Sequence, residues 1–199
     1  MYNPYDHYFQ KAKEQGYKAR SAFKLEEIQD KFHLINKWTQ TIIDIGCFPW
    51  SRMQYTTNLL TKLGKKNFKI IGFDIQQVEI SIPNAFTYKQ DVTDQEAVKE
   101  ILTKNNIQQV DFIQSDMAPN TIGTKDVDAM RSFALLEQTL RMYETLLKPD
   151  GKFVTKLFMW PWFDEYIFHL KKIFGWKKIK TFKPKSCRKE SKEIYVIKI

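Results

Sequence analysis

Short apolar runs alternate with amphipathic stretches along most of the chain. The apolar runs predict β-strands over residues 41–45, 68–73, 85–88, 110–113 and 152–158. The stretches between them predict helices over residues 51–63, 94–105 and 126–147. Strands that alternate with helices are typical of an α/β protein, in which a mostly parallel sheet carries helices on both faces.

The C-terminal part of the chain departs from this alternation. Residues 177–182 and 193–199 are predicted as two more strands, and the basic segment 183–192 connects them. A connection without a helix favours an antiparallel pair, so we expect a seven-stranded sheet whose last strand is reversed. The reversed strand would begin at the edge where the parallel strands end, which brings Glu193 towards Asp116 and Lys156.

The N-terminal part of the chain predicts a helix over residues 19–36. Its apolar positions recur at spacings of three and four and form one stripe, which consists of Ala22, Leu25, Ile28, Phe32 and Ile35. Lys24 lies off that stripe, with Glu27 and Lys31 nearby on the surface, so it can face a site without leaving the helix. No repeat or Gly/Ser/Pro-rich linker interrupts the sequence. Residues 1–199 are therefore expected to form one domain, with residues 1–36 as a helical, basic extension.

The charge is uneven along the chain. The 199 residues carry a net charge of +9, yet residues 74–150 hold 13 acidic and only 7 basic side chains. The basic excess lies towards the two ends, where the candidate contacts to a polyanion such as RNA are Lys11, Lys18, Arg20, Lys183, Lys185 and Arg188. If both ends share one side of the fold, these residues form a phosphate-binding face. The alternative is a solvated, lysine-rich surface.

Acidic residues and a glycine stand at the ends of the predicted strands. Asp44 and Gly46 close the first strand, Asp74 closes the second, and Asp91 and Asp116 follow the third and fourth. In parallel sheets, ligands bind outside the carboxyl ends of the strands. Gly46 would allow close approach of a ligand, Asp74 could accept hydrogen bonds from ribose hydroxyls, and Asp91 could accept one from an adenine amino group. Each aspartate could instead form a turn.

The loop after the first strand bears on the kind of cofactor. A dinucleotide such as NAD requires Gly-x-Gly-x-x-Gly there, whereas residues 46–51 are Gly-Cys-Phe-Pro-Trp-Ser. The missing second and third glycines disfavour a phosphate-binding loop. S-adenosylmethionine has no phosphate, so it is the favoured cofactor. The candidate contacts to it are the strand-end residues Asp44, Gly46, Asp74, Asp91 and Asp116 together with Pro49, Trp50 and Ser51.

Three segments resemble the FtsJ/RrmJ family of ribose 2'-O-methyltransferases, namely residues 17–28, 115–120 and 183–195. The resemblance implies a Rossmann-like class I methyltransferase fold with S-adenosylmethionine as cofactor and RNA as partner. It also implies a catalytic tetrad, which consists of Lys24, Asp116, Lys156 and Glu193. Residues 6–20 look closest to the bacterial and mitochondrial enzymes of large-subunit ribosomal RNA, for which a uridine is the expected target. The tRNA-modifying branch is less similar.

The resemblance further implies a role for Lys156. This lysine is expected to take the proton from the ribose 2'-hydroxyl, which requires its pKa to fall below the ordinary value of about 10.4. Alternatively, it could only orient the hydroxyl. The methyl donor is already activated, so no metal is expected. We also expect a monomer without a membrane segment, which works inside the cell in the cytoplasm or in a mitochondrion.

One loop departs from the family pattern. Family members usually have Pro-Gly-Gly-Trp-Ser or Pro-Gly-Ser-Trp, whereas this chain has Trp50 in place of a glycine and Arg52 in place of the tryptophan. Either the loop is rebuilt so that Trp50 covers the cofactor, or cofactor binding is weakened. The second possibility motivates an alternative function, a non-catalytic RNA-binding factor for ribosome assembly.

Overall fold

The computed structural model of the protein describes residues 7–117, 125–159, 163–188 and 190–199, so part of the family-like segment 115–120 lies outside the described residues. The helices are α1 (His7–Glu14), α2 (Ser21–Phe32), α3 (Ser51–Lys62), α4 (Gln95–Lys104), α5 (Lys125–Leu146) and α6 (Phe163–Phe174). The strands are β1 (Thr41–Ile45), β2 (Lys69–Asp74), β3 (Ala85–Lys89), β4 (Val110–Ser115), β5 (Leu147–Phe158), β6 (Ile179–Phe182) and β7 (Glu193–Lys198).

The strands form one mixed sheet in the order β3-β2-β1-β4-β5-β7-β6. Strands β1 to β5 run parallel to one another, whereas β7 is antiparallel to both β5 and β6. The predicted α/β class, the seven strands and the reversed last strand are therefore confirmed. The strand order reverses between β1 and β4, and ligands of doubly wound sheets bind at such a switch point.

Apolar side chains cover both faces of this sheet. Because alternate strand residues point to opposite faces, Ile43 and Ile45 of β1 pack with α4, α5 and α6, whereas Ile42 packs with α2 and α3. Asp44 also points towards the α2 and α3 face, where it is completely buried. A charged residue at a core position needs a partner, which the site below supplies. Among the described residues, no helix combines the length and apolarity needed to cross a membrane.

The helix predicted over residues 19–36 is shorter than expected. It ends at Phe32 because His33 adopts a left-handed conformation with φ of 50°, and the His33 N–H donates to the Gln29 carbonyl oxygen. The Gln29 side chain then both donates to and accepts from the backbone of Ile35, at 2.8 Å each. The segment after the helix is thus held by a side chain rather than by further helical turns.

Two helices, α1 and α6, were not predicted. Helix α6 follows β5, and its buried residues recur at helical spacing; they are Phe163, Tyr166, Ile167 and Leu170. This pattern was a usable signal for an amphipathic helix. Strand β5 also starts earlier than expected, at Leu147 rather than at residue 152, and its register against β4 is irregular near Val110.

Candidate active site

Strand register brings three residues of the predicted tetrad and one tyrosine together. Lys156 in β5 stands opposite Tyr195 in β7, and Glu193 lies two residues before Tyr195. Because side chains two residues apart share a face, Lys156, Glu193 and Tyr195 project to the same side of the sheet. Lys24 reaches them from α2 through an ion pair with Glu193, and Asp116 follows β4, the other neighbour of β5.

The tetrad forms two ion pairs that one hydroxyl connects. Lys24 Nζ pairs closely with Glu193 Oε1. Lys156 Nζ lies 3.1 Å from Asp116 Oδ1 and donates to the Asp116 carbonyl oxygen at 2.7 Å. The Tyr195 hydroxyl lies 2.7 Å from Glu193 Oε1 and 3.0 Å from Asp116 Oδ1. It has a single proton, so it donates to one carboxylate at a time and links the two pairs.

Lys24 lies off the apolar stripe of α2, yet its side chain is buried where it pairs with Glu193. It is only 7% exposed. The segment between β6 and β7 packs on α2, because the Glu27 carboxylate accepts the backbone N–H groups of Lys185 and Ser186 at 2.6 and 2.8 Å. That long-range contact covers the helix face on which Lys24 lies. A helical pattern alone could not reveal it.

The surroundings of the tetrad lower the pKa of two of its members, Lys156 and Glu193. The pKa of Lys156 falls from 10.5 to about 8, chiefly because burial penalises the ammonium; Lys24 and Arg52 lower it further, and Glu193 opposes them. Burial alone would raise the pKa of Glu193, but the charge and hydrogen bond of Lys24 together with the Tyr195 hydroxyl lower it overall. Glu193 is thus held ionised, while the neutral amine of Lys156 becomes accessible near pH 8.

Arg52 is a site residue that the sequence did not predict as one. It is almost fully buried, and its Nη2 contacts Asp44 Oδ1 at 2.5 Å and the carbonyl oxygens of Ile45 and Gly46 at 3.1 and 2.7 Å. Its Nη1 lies 3.3 Å from Asp116 Oδ2. Arg52 therefore neutralises the buried Asp44, supports the end of β1 and contacts the carboxylate of the tetrad.

Asp44 does not line the cavity described below; it is buried and hydrogen-bonded on both carboxylate oxygens. Its second carboxylate oxygen accepts from Gln114 Nε2 at 2.9 Å, and Gln114 Oε1 in turn accepts from the Thr56 hydroxyl at 3.0 Å. All these groups are buried. The structure places Asp44 beneath the loop that follows β1, where it pairs with Arg52.

A cavity of about 550 Å³ opens at the carboxyl ends of β1, β2 and β4. Its lining includes Gly46, Phe48, Asp74, Asp91, Asp116 and Met117. Gly46 has a φ of +66°, and a Cβ there would come within 3.3 Å of the Met117 backbone. The glycine therefore allows the chain to turn and keeps the cavity open beside Asp116.

Two aspartates of the cavity are held by hydrogen bonds. Asp74 accepts the backbone N–H groups of Phe48 and Gln76, both at 2.9 Å. Its position at the end of β2 suits a ribose diol, because a carboxylate has further lone pairs for two hydroxyls. Asp91 lines the same cavity, and one of its oxygens accepts from both the backbone N–H and the hydroxyl of Thr93. Asp91 thus forms a turn and still faces the cavity.

None of the loop residues Pro49, Trp50 and Ser51 lines the cavity, and the last two contact the N-terminal part of the chain. Trp50 has a φ of 60°, directly precedes α3, and packs edge-to-face on Phe48 with Lys18 Nζ 5.5 Å from its ring. The Ser51 hydroxyl lies 2.6 Å from that of Ser21. The side chain that borders the cavity from this loop is Phe48, which is 50% exposed and was not predicted.

Basic residues from the two ends of the chain meet beside α2. Lys11 and Lys185 line the same open groove, and Lys11 Nζ lies 4.4 Å above the Phe23 ring. Arg20 is the residue before α2, and Lys183 donates to the Ser191 carbonyl oxygen at 2.6 Å. Lys18 is exposed near Trp50, and Arg188 lies in the same segment as Lys183. The predicted basic residues thus lie on the side of the fold that carries Lys24 and Glu193.

These features define the class of protein. The sheet order, the glycine after β1, the carboxylate that ends β2 and a cavity without a phosphate-binding loop fit S-adenosylmethionine. The chain is an S-adenosylmethionine-dependent methyltransferase of Rossmann-like fold. The family model described as FtsJ-like methyltransferase matches residues 17–199, and the chain belongs to that family.

Similar proteins extend over nearly the whole chain. A ribosomal RNA large subunit methyltransferase E from Desulfatibacillum aliphaticivorans is 41% identical, and the matched region covers 96% of this chain and 88% of that protein. The protein of that name from Desulforapulum autotrophicum is 42% identical, and the matched region covers 96% of this chain and 90% of that protein. A crystal structure described as a ribosomal RNA methyltransferase from Plasmodium falciparum has a TM-score of 0.77 at 28% identity, covering 92% of this chain and 97% of its own.

Proposed function

We propose that this methyltransferase transfers the methyl group of S-adenosylmethionine to the 2'-hydroxyl of a ribose, most specifically a uridine, in large-subunit ribosomal RNA. One observation carries the proposal: Asp116 lines the cofactor cavity and also contacts Lys156, whose pKa is lowered to about 8. A base of that pKa beside the methyl donor suits proton removal from a hydroxyl that is a poor acid. The relatives named for ribosomal RNA supply the substrate class.

The proposed mechanism assigns positions and protons to this chain's own residues. When bound, S-adenosylmethionine supplies an activated methyl group. Neutral Lys156 takes the hydroxyl proton at Nζ, and the resulting ammonium is stabilised by the Asp116 carboxylate at 3.1 Å. The ion pair of Lys24 and Glu193 and the Tyr195 hydroxyl hold the site in place. Most of the rate enhancement then comes from alignment of the oxygen with the methyl carbon.

RNA binding is assigned to the basic residues beside α2. Lys11, Lys18, Arg20, Lys183, Lys185 and Arg188 would contact phosphates around the target nucleotide. Residues 1–36 thus act as an RNA-facing extension of a single domain. We further propose that the protein acts as a monomer where ribosomes are assembled, in the cytoplasm or in a mitochondrion.

The experiment measures cofactor binding and product formation together. Calorimetric titration of the purified protein with S-adenosylmethionine should give saturable binding, and digestion of incubated ribosomal RNA should release a 2'-O-methylated nucleoside. Lys156→Ala should retain cofactor and RNA binding and lose the product. Lys152→Arg, a conservative change in the same strand, is the matched control and should behave as wild type. Absence of cofactor binding would instead favour a non-catalytic ribosome-assembly factor.

A further inference from the structure

An exposed aromatic pair lies on the flank of the sheet formed by α6 and β6. Phe168 in α6 is 47% exposed, and Trp176, which follows the helix, is 59% exposed. Their ring centroids are 5.3 Å apart at an interplanar angle of 87°. Gly175 makes this contact possible, because its φ of 105° turns the chain back towards the helix, a conformation that other residues rarely adopt.

Lysines surround the two rings. Lys172 Nζ lies 4.6 Å from the centre of the Phe168 ring, and Lys171 Nζ lies 5.7 Å from that of Trp176. Residues 171–180 contain five lysines and no acidic residue. We call Phe168, Trp176 and these lysines the aromatic–lysine patch. The patch offers flat apolar surfaces inside a strongly positive environment, although neither the apolar core nor the active site uses these rings.

The patch lies at the opposite end of β6 from the active site. The last residue of β6, Phe182, stands opposite Tyr195, whereas its first residue, Ile179, stands opposite Lys198. At about 3.3 Å per residue, the four residues of β6 span roughly 10 Å, and Trp176 lies in the turn beyond the Ile179 end of the strand. A ligand on the patch would be a different part of the substrate from the target ribose.

We propose that the aromatic–lysine patch is a second RNA-binding site, which stacks unpaired bases of the RNA whose target ribose occupies the active site. Single-stranded RNA combines flat bases with one phosphate per nucleotide, so it matches both the rings and the lysines. Every base has a stacking face, and such a site therefore tolerates many sequences. The inference rests on the proposed function for the identity of the RNA. It adds an anchor remote from the basic residues beside α2.

The test compares the double variant Phe168→Ala/Trp176→Ala with Phe86→Ala. Phe86 lies on the edge strand β3 and is as exposed as Phe168, at 47%, which makes it a matched control. Fluorescence anisotropy with a labelled, unstructured single-stranded RNA should show affinity weakened about tenfold in the double variant and unchanged in the control. The rate of methyl transfer at saturating ribosomal RNA should remain that of wild type, while the KM for RNA rises.

Salt dependence tests the lysines separately. Lys171→Ala/Lys172→Ala should reduce the slope of log affinity against log salt by about one to two. Wild-type RNA affinity in the aromatic double variant, with an unchanged thermal midpoint, would overturn the proposal. Loss of binding to phosphatidylserine vesicles with RNA affinity intact would assign the patch to a membrane surface instead.

The outcomes separate this proposal from the proposed function. Patch-dependent RNA binding by a wild-type protein that never yields a 2'-O-methylated product would contradict the function and support the patch. Normal methylation, together with an RNA affinity that the patch variants leave unchanged, would support the function and contradict the patch.

Discussion

The guanidinium of Arg52 lies 3.3 Å from the Asp116 carboxylate, while its other terminal nitrogen donates to the Gly46 carbonyl oxygen at 2.7 Å. One side chain thus joins the loop that follows β1, beside the cavity, to the carboxylate that contacts Lys156. The family has a tryptophan at this position. Arg52 instead forms hydrogen bonds and an ion pair that hold the loop and Asp116 in place. Arg52 acts through Asp116 and Gly46, so it is a positioning residue.

Replacing Arg52 should slow methyl transfer more than it weakens cofactor binding. In Arg52→Met the Asp116 carboxylate and the Gly46 loop lose their common anchor, and misplacement of this kind costs about a hundredfold in rate. The positive charge of Arg52 also lowers the pKa of Lys156, so the pH at which the rate reaches half its plateau should move upwards. Single-turnover rates over a range of pH measure both effects.

A second variant separates catalysis from folding. Arg52→Met leaves Asp44 buried without its cation, which costs about 3–5 kcal/mol of stability. Asp44→Asn/Arg52→Met removes that uncompensated charge and should recover much of the thermal midpoint without recovering the rate. Equal recovery of the thermal midpoint and of the methyl-transfer rate would mean that Arg52 only stabilises the fold.

Removal of the Tyr195 hydroxyl should impair the site without unfolding the protein. This hydroxyl bridges Glu193 and Asp116 at 2.7 and 3.0 Å, and a hydrogen bond to a charged group contributes about 1.5–3 kcal/mol. We expect Tyr195→Phe to lower the single-turnover rate by about tenfold or more at unchanged RNA affinity. Tyr88→Phe is the control, because its hydroxyl accepts from Asn105 away from the tetrad. Equal rates in the two variants would remove Tyr195 from the mechanism.

Asp74 is expected to determine cofactor affinity. Asp74→Asn keeps the size of the side chain but removes the negative charge that can accept two ribose hydroxyls, so the Kd for S-adenosylmethionine should rise about tenfold or more. Asp94→Asn should leave that Kd unchanged, since Asp94 caps α4 by accepting the Ala97 N–H at 3.1 Å. Calorimetry of both variants provides the comparison, and an unaltered Kd in Asp74→Asn would contradict the assignment.

Much of the fold could be predicted because apolar periodicity reports directly on burial. The strands of the parallel sheet and the reversed last strand follow from alternation and from the helix-free connection between residues 182 and 193. Helix α6 was missed although its apolar positions have helical spacing. The end of α2 was misplaced because His33 adopts a left-handed conformation, which is uncommon for a residue other than glycine and so was not predicted.

The site was less predictable where it depends on contacts between distant segments. The four tetrad residues could be named from the sequence, and register explains why Lys156 and Glu193 meet. The burial of Lys24 depends on the contact of Glu27 with the segment before β7, 158 residues away along the chain. Arg52 was seen only as a lost tryptophan, because its partner Asp44 faces the core and not the cavity.

The pH dependence of single-turnover methyl transfer to ribosomal RNA tests the role of Lys156 most directly. Lys156 must lose its proton before it can accept one, and its pKa is about 8. The rate in wild type should therefore rise tenfold per pH unit below pH 8 and level off above it, while Lys156→Arg, which keeps the charge but cannot deprotonate, should show no such rise and little product. A wild-type rate independent of pH across this range, or a wild-type profile in Lys156→Arg, would contradict the assignment of Lys156 as the base.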